Sequence, residues 1–116
     1  MASATRSSYT TVNPHTGETV REFDLISDEE LDGVIRASST AYQSWSRRPV
    51  AERAAVVGRA AELLRERSEE MARTITLEMG KLIRPSRAEL DLGVRILEYY
   101  AERGPDLLRF GFQSQT

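Results

Sequence analysis

Few side chains in this sequence could do chemistry, and they are scattered. His15 is the single histidine, and there is no cysteine. Within these residues that excludes a disulfide, a thiolate metal site and a cysteine nucleophile. His15 falls in a turn with no second imidazole or thiolate to share a metal, so it reads as a solvated turn residue. The carboxylate runs Asp28-Glu29-Glu30 and Glu69-Glu70 both fall where helices should begin. There the positive end of the helix dipole accounts for them without metal or acid–base work. Glu78 differs, because it falls in the last turn of an expected helix, where the dipole disfavours negative charge. Either a local pair with Lys81 or a neighbouring arginine, or a bound hard cation, would offset that. Arg47 and Arg48 read as solvated charge, and Trp45, Tyr99 and Tyr100 as packing or interface aromatics. Neither Gly-x-Gly-x-x-Gly nor Gly-x-x-x-x-Gly-Lys-Ser/Thr occurs, so no phosphate cradle is written here.

The elements that must position these residues are legible in the pattern. Tyr9–Val12 and Thr19–Phe23 are β-prone and flank Asn13-Pro14-His15-Thr16-Gly17-Glu18. Pro14 presets a turn, and Gly17 supplies a positive φ, so a hairpin is expected. Ser27-Asp28-Glu29-Glu30 has the form of a capping box. It opens a helix to about Ser44 with Leu31, Val34, Ile35, Tyr42 and Trp45 as its stripe. Pro49 leads into a second helix, about Val50–Arg67. A third, about Glu69–Met79, is expected to be capped by Ser68. Val57, Ala60, Ala61, Leu64, Met71, Ala72, Ile75 and Met79 recur on one face of this pair at helical spacing. Gly80 is suited to a left-handed helix end. Pro85 opens a last helix carrying Leu90, Val94, Leu97 and Ala101, and Gly104-Pro105 is expected to end it near Arg103. The tail from Phe110 to Thr116 reads as loop or disorder.

The bulk numbers allow one domain or one piece of a larger one, since there are 116 residues. Sixteen basic and eighteen acidic side chains are interspersed, for a net charge of −2. That argues against nucleic acid, which wants a concentrated positive face. No apolar run approaches the roughly 20 residues of a membrane span. Met1–Ser8 lacks the apolar centre of a secretory signal and is expected to be a flexible tail. A cytoplasmic setting is expected.

Taken in order, the motifs resemble a known family. Thr11-Val12-Asn13-Pro14-His15-Thr16-Gly17-Glu18 is similar to the opening of the aldehyde dehydrogenase superfamily. The same holds for the later motifs: Trp45, then Pro49-Val50-Ala51-Glu52-Arg53, Ala61-Glu62-Leu63-Leu64, Glu78-Met79-Gly80-Lys81 and Tyr99-Tyr100-Ala101. The wording Ile75-Thr76-Leu77-Glu78-Met79-Gly80-Lys81 most resembles the succinate-semialdehyde dehydrogenase branch. The resemblance covers about Tyr9 to Leu108. It implies an α/β enzyme several times longer, which oxidises an aldehyde with NAD or NADP. There a cysteine thiolate attacks the carbonyl, a hydride passes to the nicotinamide, and a glutamate-assisted water releases the acid. None of those residues, nor the cofactor-binding lysine and glycine-rich turn, has a counterpart among these 116.

The fold class expected is therefore mainly α with an N-terminal β-hairpin, the amino-terminal portion of the aldehyde dehydrogenase fold. Residues 1–8 form a tail, 9–109 a hairpin and four-helix scaffold, and 110–116 a loop. No catalytic or cofactor-binding residue is assigned. The resemblance implies one candidate site: in some family members the acidic residue matching Glu78 binds a monovalent cation. It does so with a backbone carbonyl from the stretch matching Thr11-Val12, so Glu78 and Val12 are named as metal candidates. Two features depart from the family. Leu82 stands where proline commonly follows the lysine, and the tail beyond about Arg109 is unfamiliar. The expected function is a catalytically silent amino-terminal piece of an NAD(P)-dependent aldehyde dehydrogenase, partnered by the remainder of that enzyme or a homologous subunit. The alternative is a stand-alone helical interaction module that binds a full-length homologue. An excised piece should leave the faces carrying Val57, Leu64, Ile75 and Leu97 partly uncovered.

Overall fold

The computed structural model describes residues 8–113, with side chains as far as residue 109. The chain opens with the hairpin, β1 (Ser8–Val12) and β2 (Thr19–Asp24), paired antiparallel. Tyr9 lies opposite Phe23 and stacks on it with ring centroids 4.9 Å apart. Arg21, two residues back on the same face of β2, places its guanidinium 5.0 Å from the Phe23 ring. The register shifts between Thr11, opposite Arg21, and Val12, opposite Thr19. Val20 is thus left over as a bulge, which bends the strand toward the turn. In the turn the Gly17 amide donates to the Asn13 carbonyl at 2.8 Å, with Gly17 at φ 76°. The His15 amide donates to the Asn13 side chain at 2.9 Å.

Four helices come next: α1 (Asp28–Trp45), α2 (Val50–Glu66), α3 (Ser68–Met79) and α4 (Ile83–Gln113). The capping box at α1 is formed. The Glu30 amide donates to Ser27 Oγ at 3.2 Å, and the Ser27 amide donates to the Glu30 carboxylate at 2.9 Å. The core is the seam where α4 lies along α2 and α3, and it buries Ala61, Ala72, Val94 and Ser86. Small residues set that seam. A Cβ built on Gly58 would stand 3.6 Å from the Ala101 Cβ, and one on Gly93 3.7 Å from a Leu64 methyl. Side chains this small let the two backbones approach closely.

Three expectations about helix ends are corrected. The joint of α2 and α3 is Arg67, at φ −104° and ψ 15°, and the Ser68 hydroxyl makes no capping bond. The Arg67 amide still reaches the Leu63 carbonyl at 3.1 Å, and the Met71 amide reaches the Arg67 carbonyl at 3.0 Å. The ladder resumes within a residue, so few orphan donors are left for a cap to satisfy. Second, α4 begins at Ile83 rather than Pro85. Pro85 then lies in the first turn, where its missing N–H has no helical partner to lose. Third, Gly104-Pro105 does not end α4. Gly104 is not among the positive-φ glycines, and the helix runs through Pro105 to Gln113. The tail assignment for residues 110–116 is thereby corrected as far as residue 113. Pro105 costs a helix about 3 kcal/mol in isolation. Here Pro105 and Leu108 share an open apolar hollow with Pro49, Val50 and Ala51 at the start of α2. The expected tail at residues 1–7 and the end of the expected loop at 114–116 lie outside the described residues.

Apart from the seam, little is covered. No residue of α1 is buried: Ile35 is 58% exposed and Tyr42 68%. Met79 and Leu82, on either side of Gly80, are each 76% exposed. Val57, Leu64, Ile75 and Leu97 are half-buried, as expected for a face with part of its cover missing.

Candidate functional site

The two motif stretches that carry the cation expectation meet at one corner. α3 ends at Gly80, which is left-handed at φ 68° and donates its amide to the Thr76 carbonyl at 3.0 Å. The hairpin turn docks there. A Cβ on Gly80 would stand 2.8 Å from Cγ of Pro14, closer than such atoms sit, so only glycine admits the proline ring. β1 thus runs beside the end of α3. Val12, at the end of β1, is 42% exposed, and Glu78 lies in the last turn of α3. The Thr11 Oγ1 is shielded from solvent without a hydrogen-bond partner.

The local pair between Glu78 and Lys81 does not form. Lys81 Nζ instead donates to Glu89 of α4. The left-handed turn at Gly80 is the reason, since it takes Lys81 off the helical path and turns it toward α4. Among the described residues Glu78 makes no ion pair. Glu78 is half-buried in the last turn of α3, and no group of three or more His, Cys, Asp or Glu is assembled among the described residues.

Several other charged residues pair within and between helices. Glu69 accepts from Arg87 Nε and Nη2, both at 2.8 Å, and from Arg73 Nε at 3.3 Å. The Arg87 hydrogen bonds, helped by Arg73, hold its carboxyl well down, from the usual 4.5 to about 2. Glu70 pairs with Arg67 at 2.8 Å, which lowers its carboxyl too. Beneath the Glu69 clamp, Ser86 Oγ is within 3.3 Å of Thr76 Oγ1 and donates to the Leu82 carbonyl at 3.0 Å. Arg48 lies 5.8 Å from the Trp45 ring centroid and 3.7 Å from Glu52. His15 is exposed in its turn, and Tyr99 and Tyr100 make an edge-to-face pair at 5.2 Å. Sequence reasoning passed over Arg53. Its Nε is shielded and has no partner, beside an apolar cavity at the far end of the α2–α4 seam. The signal was available, since Arg53 lies four residues before Val57 on the apolar face of α2.

Comparison with known proteins gives this arrangement a setting. The sequence profile described as "Aldehyde dehydrogenase family" matches residues 1–114. Over 100 residues the chain is 50% identical to a succinate-semialdehyde dehydrogenase [NADP(+)] of Deinococcus radiodurans, covering 86% of this chain and 21% of that protein. It is 38% identical to malonate-semialdehyde dehydrogenase 2 of Geobacillus thermodenitrificans, covering 77% of this chain and 18% of that protein. An NAD-dependent benzaldehyde dehydrogenase from Corynebacterium glutamicum superposes with a TM-score of 0.80 at 30% identity, over 86% of this chain and 22% of that one. The chain belongs to the aldehyde dehydrogenase family. It spans about a fifth of the length of the curated relatives it matches. No helix among the described residues is long and apolar enough to cross a membrane.

Proposed function

We propose that this chain is the amino-terminal scaffold of an NAD(P)-dependent semialdehyde dehydrogenase, silent by itself and completed by the remainder of such an enzyme. The observation that carries this reading is the surface left bare. A compact protein of 13.1 kDa should expose roughly 6,400 Å², and this chain exposes 9801 Å². Its radius of gyration is 19.8 Å, where about 13 Å is usual for this length. Large apolar side chains of α1 and α4 stand exposed, among them Val34, Ile35, Tyr42, Leu92 and Tyr99, the kind of surface that a larger fold covers. The absence of cysteine removes the family's nucleophile, so the scaffold role is the one these residues can serve. Succinate semialdehyde is the first substrate to test, given the branch that the Ile75–Lys81 wording resembles.

The direct test is an assay for NADH or NADPH formation by the purified chain on succinate semialdehyde. No turnover is expected, and measurable turnover overturns the reading. Glu78 and the Val12 carbonyl are proposed as the cation ligands of the completed enzyme. Glu78→Gln should then abolish any difference in thermal stability between sodium and caesium chloride. A cation preference that survives the substitution removes Glu78 from the site.

A further inference from the structure

The cavity at the far end of the α2–α4 seam has no part in the Glu78 corner. It is an open hollow of about 420 Å³ between the end of α1, the start of α2 and the C-terminal part of α4, with walls from Trp45, Arg53, Val57, Tyr100, Leu107 and Leu108. Its rim continues over Pro49 and Ala51 as a shallow apolar hollow. Such a volume accepts a side chain or two, and its walls offer ordered water little to bond.

Arg53 supplies the second observation. Its Nε is shielded from solvent and has no hydrogen-bond partner. Nearby arginines are matched: Arg48 with Glu52, Arg59 with Glu62 and Arg65 with Glu98. Arg53 makes no ion pair among the described residues. A guanidinium cannot shed its proton, and a shielded N–H without an acceptor is destabilising. Apolar walls around one unmet cationic donor define the chemistry of what belongs there: an apolar body that brings an anionic oxygen to Arg53.

We propose that this cavity is a socket for a segment of the polypeptide that completes the enzyme. That segment seats an apolar side chain against Trp45, Val57 and Leu108 and sets an aspartate or glutamate carboxylate on the Arg53 guanidinium. The proposal rests on the scaffold reading above and adds to it a specific contact. A two-fold dimer through this face fits less well, because the linings of the cavity and its rim hold no acidic residue that a second copy could bring to Arg53. A free small acid fits less well too. Tyr100 is 57% exposed on the wall, and Leu107 and Leu108 are nearly half exposed, which is more apolar surface than a small molecule covers.

The test compares the isolated chain with a chimera in which it replaces the matching fifth of the Deinococcus radiodurans enzyme, its 50% identical relative. Arg53→Met keeps the aliphatic bulk and removes the charge, and Arg53→Lys restores charge without the fixed Nε donor. In an active chimera, Arg53→Met should lower the thermal midpoint by about 5 °C, and Arg53→Lys should recover part of that. The helical melting of the isolated chain should not fall, because there Arg53 has no bond to lose and a shielded, unmet donor is removed. An active chimera indifferent to Arg53→Met overturns the socket and leaves the scaffold reading standing. Equal falls in chimera and isolated chain also overturn the socket, since they place the acceptor within these 116 residues. A chimera that neither folds nor turns over overturns the scaffold reading and the socket with it. Two further results assign the cavity elsewhere and overturn the proposal: self-association of the isolated chain that Leu108→Glu abolishes, or stabilisation of the isolated chain by benzoate that Arg53→Met abolishes.

Discussion

Glu69 shows what a single surface residue does in this chain. Its carboxylate lies in the first turn of α3, favoured by the helix dipole, and accepts from Nε and Nη2 of Arg87 on α4. Its side chain is half exposed, so the solvent screens the clamp and its worth at neutral pH is small. The pH at which that contribution disappears is better defined. A carboxyl lowered from 4.5 to about 2 on folding contributes stability above pH 4.5, and loses it as pH falls from there toward 2. Glu69→Gln should therefore melt at a lower temperature at pH 7 and lose less stability over that acid range than the parent. Circular dichroism melts at pH 7, 4 and 2.5 check this, and parallel curves for both proteins would count against the clamp. The sequence marked Glu69 as a helix-start acid but did not reveal its partners. Arg73 lies four residues on and was accessible to helical spacing. Arg87 lies eighteen residues on, and only the packing of α4 brings it near.

Among the elements, the hairpin and α3 depend on each other through Gly80. Its left-handed backbone ends the helix, and the missing side chain makes room for the Pro14 ring. Gly80→Val puts a β-branched residue at positive φ and drives its Cβ into that ring. Together these should destabilise the chain by about 1–3 kcal/mol, read as a fall in the urea midpoint. Faster amide exchange in β1 and β2 should accompany it as the hairpin leaves its seat. Unchanged exchange would show that the turn is held by something else. The elements themselves were largely legible, because the hairpin turn, the capping box and the helix stop are local devices. Each works through residues within a few positions of one another. The helix ends that were misplaced are those at Arg67, Ile83 and Pro105. Pro105 is the plainest of them, since α4 continues past it to Gln113.

For the molecule as a whole, the bare surface outweighs any single contact. Roughly 3,400 Å² beyond the expectation for its mass is about four times what one partner contributes to a standard interface. One docking event of ordinary size would leave most of it exposed, so extensive wrapping by further polypeptide is the better match. The apolar stripe of α1, the exposed pair Met79 and Leu82, and the Arg53 socket are three separate places where that cover would bear. The sequence by itself determined the helices, the hairpin, the Gly80 stop and the family, because these depend on spacing, turn chemistry and motif order along the chain. Only the tertiary structure decided that Pro14 seats on Gly80, that Lys81 joins Glu89 and leaves Glu78 unpaired, and that Arg53 faces a cavity without an acceptor. Those facts depend on which distant residues the packing of α4 and the hairpin brings together, and no local pattern encodes that.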